Sequence, residues 1–419
     1  MVVEYGSIFF TLAVVLGLYM TWGIGANDVA NAMGTSVGSG AISVKQAIII
    51  AAIFEFSGAF LAGGHVTKTI RKSIIDPTSI MGNPEILIWG MLSALLAAAL
   101  WLTIASWMGW PVSTTHSIIG SIVGFAIVGI GVDAVNWSRI GTIVLSWIVS
   151  PLVGGTLSFI LIKSIQKFIL DTDIPLLNAK RYAPFYVFLV GFLISLVTLF
   201  KGLKHLDIDL SILQSFIFAV ILGFILATIA SILINRISME MEISIHDQFK
   251  QIEKIFGMMM IFSASAMAFA HGSNDVANGI GPMAAIISIL ESGGEMAQES
   301  NLPIWVLLLG GFGIVLGLST LGYRVIQTIG SKITELVPTR GFSAELAAAA
   351  TVVIASRTGI PVSTTQIAVG AVMGVGLARG IGALDLRVIG GIMMSWVITL
   401  PVGALLSIFF FFFFRGIFL

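Results

Sequence analysis

Apolar residues fill long uninterrupted stretches of this chain, and short polar segments separate them. Most stretches approach the roughly 20 residues that an α-helix needs to cross a bilayer. Lipid offers no hydrogen-bond partners to an open backbone, so helices are the expected structure. We predict an all-α polytopic membrane protein. About twelve transmembrane or re-entrant helical segments are expected, at 7–26, 46–64, 86–108, 111–131, 140–162, 185–200, 211–234, 255–271, 304–322, 342–356, 359–378 and 388–411.

Composition supports the membrane setting and excludes several classes of function. Hydrophobic residues make up 57% of the chain and charged residues 10%, against roughly a quarter charged in soluble domains. Zero net charge and the lack of a basic run exclude a nucleic-acid partner. The chain has no cysteine, which excludes thiol nucleophiles and cysteine-bound metals. MVVEYGS at the N-terminus lacks the basic region of a cleavable signal, so we expect the first segment to be retained.

Two polar motifs occur twice within these apolar stretches. NDVAN stands at 27–31 and 274–278, and PVSTT stands at 111–115 and 361–365. If every predicted segment crosses, an odd number of crossings separates the two NDVAN copies, so the halves have opposite orientations. Inverted repeats of this kind, often with broken helices, are typical of secondary transporters, whose binding sites lie at the repeat interface near the midplane.

Two plain apolar segments lie between the halves and carry neither motif. The polar stretches that flank them, 163–183 and 235–254, are predicted to be aqueous loops. The predicted organisation is an N-terminal transport repeat over 1–162, a linker with two transmembrane helices and cytoplasmic loops over 163–254, and a C-terminal inverted transport repeat over 255–419.

The distribution of basic residues predicts an orientation. Most of the 21 Lys and Arg residues fall on the side opposite the N-terminus, although Lys68, Arg71 and Lys72 do not. By the positive-inside rule we expect both termini outside and the middle loops in the cytoplasm of a multi-pass plasma (inner) membrane protein.

The PVSTT motif predicts an anion site. Its proline ends any preceding helix, and Ser113 or Thr114 is a good N-cap for the next. Free N–H groups, the positive end of the helix dipole and the hydroxyls suit a tetrahedral oxyanion. The alternative is that hydroxyls merely bond to carbonyls of their own helix, but two copies in inverted halves favour the site. The residues expected to supply it are Ser113, Thr114, Thr115, Ser363, Thr364 and Thr365.

The NDVAN motif predicts a cation site. Asp28 and Asp275 would be buried carboxylates, each costing about 3 kcal/mol or more in the membrane. Because neither motif supplies a Lys or Arg, cations from solution must compensate them. Carboxylate, amide and unwound carbonyl oxygens are ligands of the kind that hold Na⁺ in broken-helix transporters. Helix interruptions are expected at nearby Gly25, Gly34, Gly38, Gly272, Gly279, Gly281 and Pro282, with close helix packing as the alternative reading.

At these residues the chain resembles the PiT family of inorganic phosphate transporters, as a prokaryotic member. GANDVANA, HGSNDVANGIGP, PVSTTH and PVSTTQ are similar to the paired signatures of that family, and GFSAELAAA at 341–349 to a further segment. The resemblance implies symport of inorganic phosphate, usually with Na⁺ and in some members with H⁺, and implies a homodimer. Some members carry sulfate.

The resemblance also implies residue roles. Phosphate binding falls to Asn27 and Asn274 together with the two Ser-Thr-Thr triplets, and sodium binding to Asp28, Asn31, Asp275 and Asn278. No other cofactor is expected.

Two further acids, Glu55 and Glu345, lie in apolar segments, and the resemblance marks both as important. In the alignment of the two halves, Glu345 corresponds to Leu95 and, in a weaker alignment, Glu55 corresponds to Ile314. These acids therefore break the internal symmetry. A third cation site, a gating hydrogen bond or capping of a helix N-terminus are open alternatives. His116 and His271 are expected to be donors or packing residues, since no second His or Cys stands at metal-ligand spacing.

Two other classes of function fit the sequence less well than a transporter does. A membrane phosphatase or phosphotransferase needs a nucleophile, a metal pair or a Gly-Lys-Ser/Thr loop, and GTSVGSG at 34–40 has no lysine. We therefore expect no enzyme. A passive anion channel has no need of the two aspartates, and an inside-negative potential would drive phosphate out through it.

Overall fold

The computed structural model describes residues 4–64, 74–75, 84–197, 210–236, 244–293, 303–357 and 362–419. These residues form thirteen α-helices and no strand, which confirms the predicted all-α fold. The helices are α1 (Gly6–Gly38), α2 (Val44–Ala62), α3 (Pro84–Met108), α4 (Thr114–Gly129), α5 (Trp137–Ile165), α6 (Pro175–Val197), α7 (Ile212–Asn235), α8 (Ile245–Glu291), α9 (Ile304–Thr320), α10 (Gly322–Ser331), α11 (Pro338–Arg357), α12 (Thr364–Leu377) and α13 (Leu386–Phe418).

Length and hydropathy divide these helices into two groups. Eight are long and apolar enough to cross a membrane, and the α9–α10 pair, bent by 70°, makes a ninth candidate within the described ranges. Helices α4 and α12, which follow the two PVSTT motifs, are shorter apolar helices. The pattern of long spans with two short apolar helices agrees with the prediction of transmembrane and re-entrant segments.

The helices extend further than the apolar pattern indicated, so the predicted aqueous loops are partly wrong. Helix α5 continues through a π-helical turn at Gln166–Leu170, and α6 begins at Pro175. Helix α8 begins at Ile245, where the Ser244 side chain accepts a hydrogen bond from the Asp247 N–H. A polar N-cap starts a helix in water, ahead of its apolar stretch, and hydropathy alone does not detect such an extension.

Equivalent close contacts occur in the two halves. A Cβ on Gly25 would overlap the Ile314 carbonyl, and a Cβ on Gly272 would overlap the Glu55 carbonyl in the same way. The loops repeat a contact as well, because the Asn136 N–H donates to Ile74 and the Asp385 N–H donates to Ile333. Thus α1 packs on α9 as α8 packs on α2. The predicted domain boundaries remain a prediction.

The expected helix interruptions at the NDVAN glycines are wrong. Helix α1 runs for 33 residues and α8 for 47, and each passes without a break through its NDVAN motif. The glycines instead let backbones touch, as at Gly38, where a Cβ would overlap the Gly330 carbonyl of α10. Close packing, the alternative reading, is the physical reason that this sequence is rich in glycine here.

We expect Gly38→Ala to destabilise the protein by about 1–3 kcal/mol, because the new methyl group has no space between α1 and α10. Thermal unfolding in detergent measures the effect. Gly6→Ala on the same helix is the control, since nothing lies within 4 Å of its Cβ position. Equal unfolding temperatures for the two variants would contradict the packing role.

Candidate functional site

The described residues of both motif pairs are buried, and the short helices that follow PVSTT begin against the two helices that carry the aspartates. Ser113 is the N-cap of α4, accepting from the His116 N–H, and Ser363 is the N-cap of α12, accepting from the Gln366 N–H. This confirms the predicted cap. The NDVAN motifs lie on α1 and α8, with both aspartates 0% exposed.

The asparagines cross from one half to the other. The Asn31 amide donates to the Thr365 hydroxyl at 3.0 Å and to the Thr364 hydroxyl at 3.3 Å. In the opposite sense, the Asn278 amide donates to the Thr115 hydroxyl at 3.2 Å and to Thr114 at 3.4 Å. Each helix N-terminus is therefore held by the NDVAN motif of the other half.

The aspartates accept from threonines of their own half. The Thr114 hydroxyl donates to Asp28 Oδ2 at 2.7 Å, and the Thr364 hydroxyl donates to Asp275 Oδ2. A longer bond of 3.4 Å also runs from the Thr365 hydroxyl to Asp28 Oδ1. The residues assigned to the anion and those assigned to sodium thus contact one another in one cluster.

Asn27 and Asn274 hold the segments that enter the short helices. The Asn27 amide donates to the Trp110 carbonyl at 2.9 Å, and its Oδ1 accepts from the Val112 N–H at 3.2 Å. The Asn274 amide donates to the Val362 carbonyl at 3.3 Å. These bonds fix where each helix N-terminus points.

The N-termini present donors toward the cluster. The first backbone bond along α4 runs from the Ser117 N–H to the Ser113 carbonyl, and the Thr114 and Thr115 N–H groups precede it. The same arrangement at α12 begins with the Ile367 N–H bonded to the Ser363 carbonyl. N–H groups ahead of the first helical bond, at the positive end of the dipole, are donors for an anion.

His271 is a member of the site that the sequence reasoning placed only as a donor or packing residue. Its Nε2 lies 2.9 Å from Asp275 Oδ2 and 3.9 Å from Asp28 Oδ2, and its Nδ1 lies 3.2 Å from Glu55 Oε1. One atom from each of Asp28, His271 and Asp275 lies within 4.8 Å of the others, a spacing that could hold a metal ion. The sequence feature that could have indicated this role of His271 is its position four residues, or one helical turn, before Asp275.

Glu345 lies in a separate cluster of hydroxyl groups. It is 2% exposed, and its carboxylate accepts from the hydroxyls of Thr35 at 2.6 Å, Ser36 and Ser263. The acid on α11 thus ties α1 to α8. The structure does not bring it into hydrogen-bond contact with the aspartates.

The chemistry of the cluster suits reversible binding of ions of both signs. Carboxylates compensate cations, and helix N-termini with hydroxyls compensate an anion, in the centre of a bundle of apolar helices. A multi-pass membrane transporter, rather than an enzyme, is the class of protein that this fold and site define.

Comparison with known proteins identifies the family. The profile of the phosphate transporter family matches residues 24–407. A candidate phosphate permease of Haemophilus influenzae is 49% identical over 415 residues, covering 99% of both chains. The chloroplast inorganic phosphate transporter 2-1 of Arabidopsis thaliana is 46% identical over 410 residues, covering 94% of this chain and 70% of the relative.

A solved structure is also similar. It is a structure of a sodium-dependent phosphate transporter, with 39% identity and a TM-score of 0.89 over 98% of this chain and 100% of that one. The chain belongs to the phosphate transporter family.

Proposed function

We propose that this phosphate transporter is a secondary active transporter that carries inorganic phosphate into the cell together with Na⁺. The observation that carries the proposal is the single cluster in which Asp28 accepts from threonines at both helix N-termini and Asp275 accepts from the threonine at the start of α12. The expected location is the plasma (inner) membrane, with both termini outside. A homodimer remains an expectation from the family resemblance.

The charges of the cluster support coupling to a cation. Asp28 and Asp275 are both fully buried and approach the same His271 nitrogen. Two carboxylates this close repel each other strongly in a low dielectric, and one imidazole compensates only part of their charge. A phosphate anion adds to the deficit, so a cation must accompany it. The similar solved structure, named as sodium-dependent, makes Na⁺ the coupling ion that we favour.

The threonine hydroxyls support direct coupling between the two ions. Thr114 is the first residue of α4, at the proposed anion position, yet its hydroxyl donates to Asp28. A Na⁺ ion that binds Asp28 would release this hydroxyl toward the anion. We therefore propose that cation binding prepares the donors for phosphate at both helix N-termini.

The test is mutual linkage between the two ions. Na⁺ and phosphate should each tighten the binding of the other by the same factor, because linkage is reciprocal. Labelled phosphate uptake into proteoliposomes, with and without a Na⁺ gradient, tests transport, and binding titrations at fixed pH give the factor. A phosphate affinity unchanged when choline replaces Na⁺ would contradict sodium coupling and favour a proton-coupled permease. Uptake that never exceeds equilibrium would indicate a passive channel.

Selectivity distinguishes phosphate from sulfate. At pH 7 both forms of phosphate, HPO₄²⁻ and H₂PO₄⁻, keep a proton to donate, whereas sulfate has none. Asp28 and Asp275 offer oxygens that can accept this proton in a hydrogen bond. A site built to bond a substrate OH can reject an analogue that lacks it by about 10⁴–10⁵. We expect arsenate, which keeps the proton, to compete with labelled phosphate far better than sulfate. Equal competition by the two anions would favour the sulfate-carrying alternative.

A further inference from the structure

The two halves of the site differ at one place, where a buried acid and a buried base occur together. Glu55 on α2 and His271 on α8 are both 0% exposed, with Glu55 Oε1 3.2 Å from His271 Nδ1. No hydroxyl or amide donor among the described residues bonds to the Glu55 carboxylate. The imidazole is therefore the group that can compensate this buried charge.

The other half carries neither charge. Gly25 meets the backbone of Ile314 as Gly272 meets the backbone of Glu55, so Ile314 occupies the place that corresponds to Glu55. The residue before Gly25 is Ile24, and the residue before Gly272 is His271. Both members of the pair are thus replaced by isoleucine together. A matched loss indicates that the acid and the base work as one unit.

The contacts of His271 show what this unit does. Its second nitrogen, Nε2, lies 2.9 Å from Asp275 Oδ2 and 3.9 Å from Asp28 Oδ2. Both ring nitrogens lie at contact distance from carboxylates, Nδ1 from Glu55 and Nε2 from Asp275. The His271 ring therefore lies between Glu55 and Asp275 and contacts both.

We infer that Glu55 is a positioning residue that acts through His271, holding the ring against Asp275. It is not itself a ligand of the transported ions. The pair makes the surroundings of the two aspartates unequal. The imidazole lies 2.9 Å from Asp275 but 3.9 Å from Asp28, so the Asp28 carboxylate is left more open to a cation. The inference rests on the proposed sodium-coupled function, and its test also includes a readout independent of transport.

The test is a double-mutant cycle in proteoliposomes. Glu55→Gln and His271→Gln should each raise the Na⁺ concentration for half-maximal phosphate uptake by at least about tenfold. In the His271→Gln background, Glu55→Gln should cause no further loss and should partly restore uptake, because it removes a buried charge left without a partner. An equal loss from Glu55→Gln in both backgrounds would overturn the inference.

Glu345→Gln is the matched control. Glu345 is also a buried acid, but its partners are the hydroxyls of Thr35, Ser36 and Ser263. Its replacement should lower uptake by the same factor with or without His271, since the two residues share no bonding partner and independent sites add. Non-additivity for Glu345 as strong as for Glu55 would show a global effect and would overturn the specific role of the pair.

Thermal unfolding in detergent, without phosphate, separates this inference from the proposed function. The double variant E55I/H271I copies the residues of the other half and should unfold several degrees above H271I alone, which leaves Glu55 without its partner. A double variant less stable than H271I would overturn the pairing. If the double variant is the more stable and the unmodified protein shows no sodium-driven uptake, the proposed function is refuted while the pairing of Glu55 with His271 is supported.

Discussion

Asp28→Asn should reduce sodium-driven phosphate uptake by at least about a hundredfold, the largest loss that we expect from one substitution at the site. Asparagine keeps the size of the side chain and an acceptor for the Thr114 hydroxyl, which donates to Asp28 Oδ2 at 2.7 Å. It removes the negative charge that a Na⁺ ion requires where water cannot replace it. The loss should therefore be in cation dependence, with the fold retained.

Uptake at several Na⁺ concentrations, together with thermal unfolding, measures this effect. Asp247→Asn is the control, since that carboxylate belongs to α8 but its side chain is 50% exposed. It should leave transport unchanged. Sodium-driven uptake by the Asp28→Asn protein at the normal rate would show that the charge is not required and would remove Asp28 from the cation site.

Replacing both threonines at the helix starts, Thr114→Val with Thr364→Val, should lower phosphate affinity by about a hundredfold. Valine keeps the shape and removes one buried hydroxyl, and each lost hydrogen bond leaves a partner unpaired at roughly 1–3 kcal/mol. Na⁺ affinity measured without phosphate should not fall, because Na⁺ itself displaces these hydroxyls from Asp28 and Asp275.

Binding titrations for both ions test the double variant against a control on the outside of the bundle. Thr142→Val on α5 removes an exposed hydroxyl that donates to the Ser138 carbonyl of its own helix, and it should change neither affinity. If the double variant binds phosphate as tightly as the unmodified protein, the helix N-termini are not the anion site.

Much of the fold could be predicted because its determinants are local. Apolar stretches define helices, and the serine of PVSTT is visible as a cap, so α4 and α12 begin where the sequence indicated. The repeated motifs predicted which residues meet in the cluster, because each motif lies on a repeated element. Local patterns could not show which helix each motif contacts. The reciprocal bonds of Asn31 and Asn278 depend on tertiary packing.

Two features of the site could not be predicted from the sequence, and each has a physical reason. Glycine permits a broken helix and a close helix contact equally, so Gly25 could be interpreted only when its neighbour, Ile314, was known. The Glu55–His271 contact joins α2 to α8, far apart in sequence, and neither residue belongs to a repeated motif. The equivalent backbone contacts of Gly25 with Ile314 and of Gly272 with Glu55 identify Ile314 as the counterpart of Glu55.

The crossed hydrogen bonds also govern how the protein is made. Asn31 emerges from the ribosome long before Thr364 and Thr365, the hydroxyls that it binds. Until α12 is synthesised, Asn31 and the neighbouring Asp28 must lie in the membrane without these partners. A nascent chain that stops short of α12 is therefore left with polar groups exposed to lipid or to other chains. Membrane quality-control proteases should degrade such fragments rapidly, and co-expression of the missing C-terminal half should protect them.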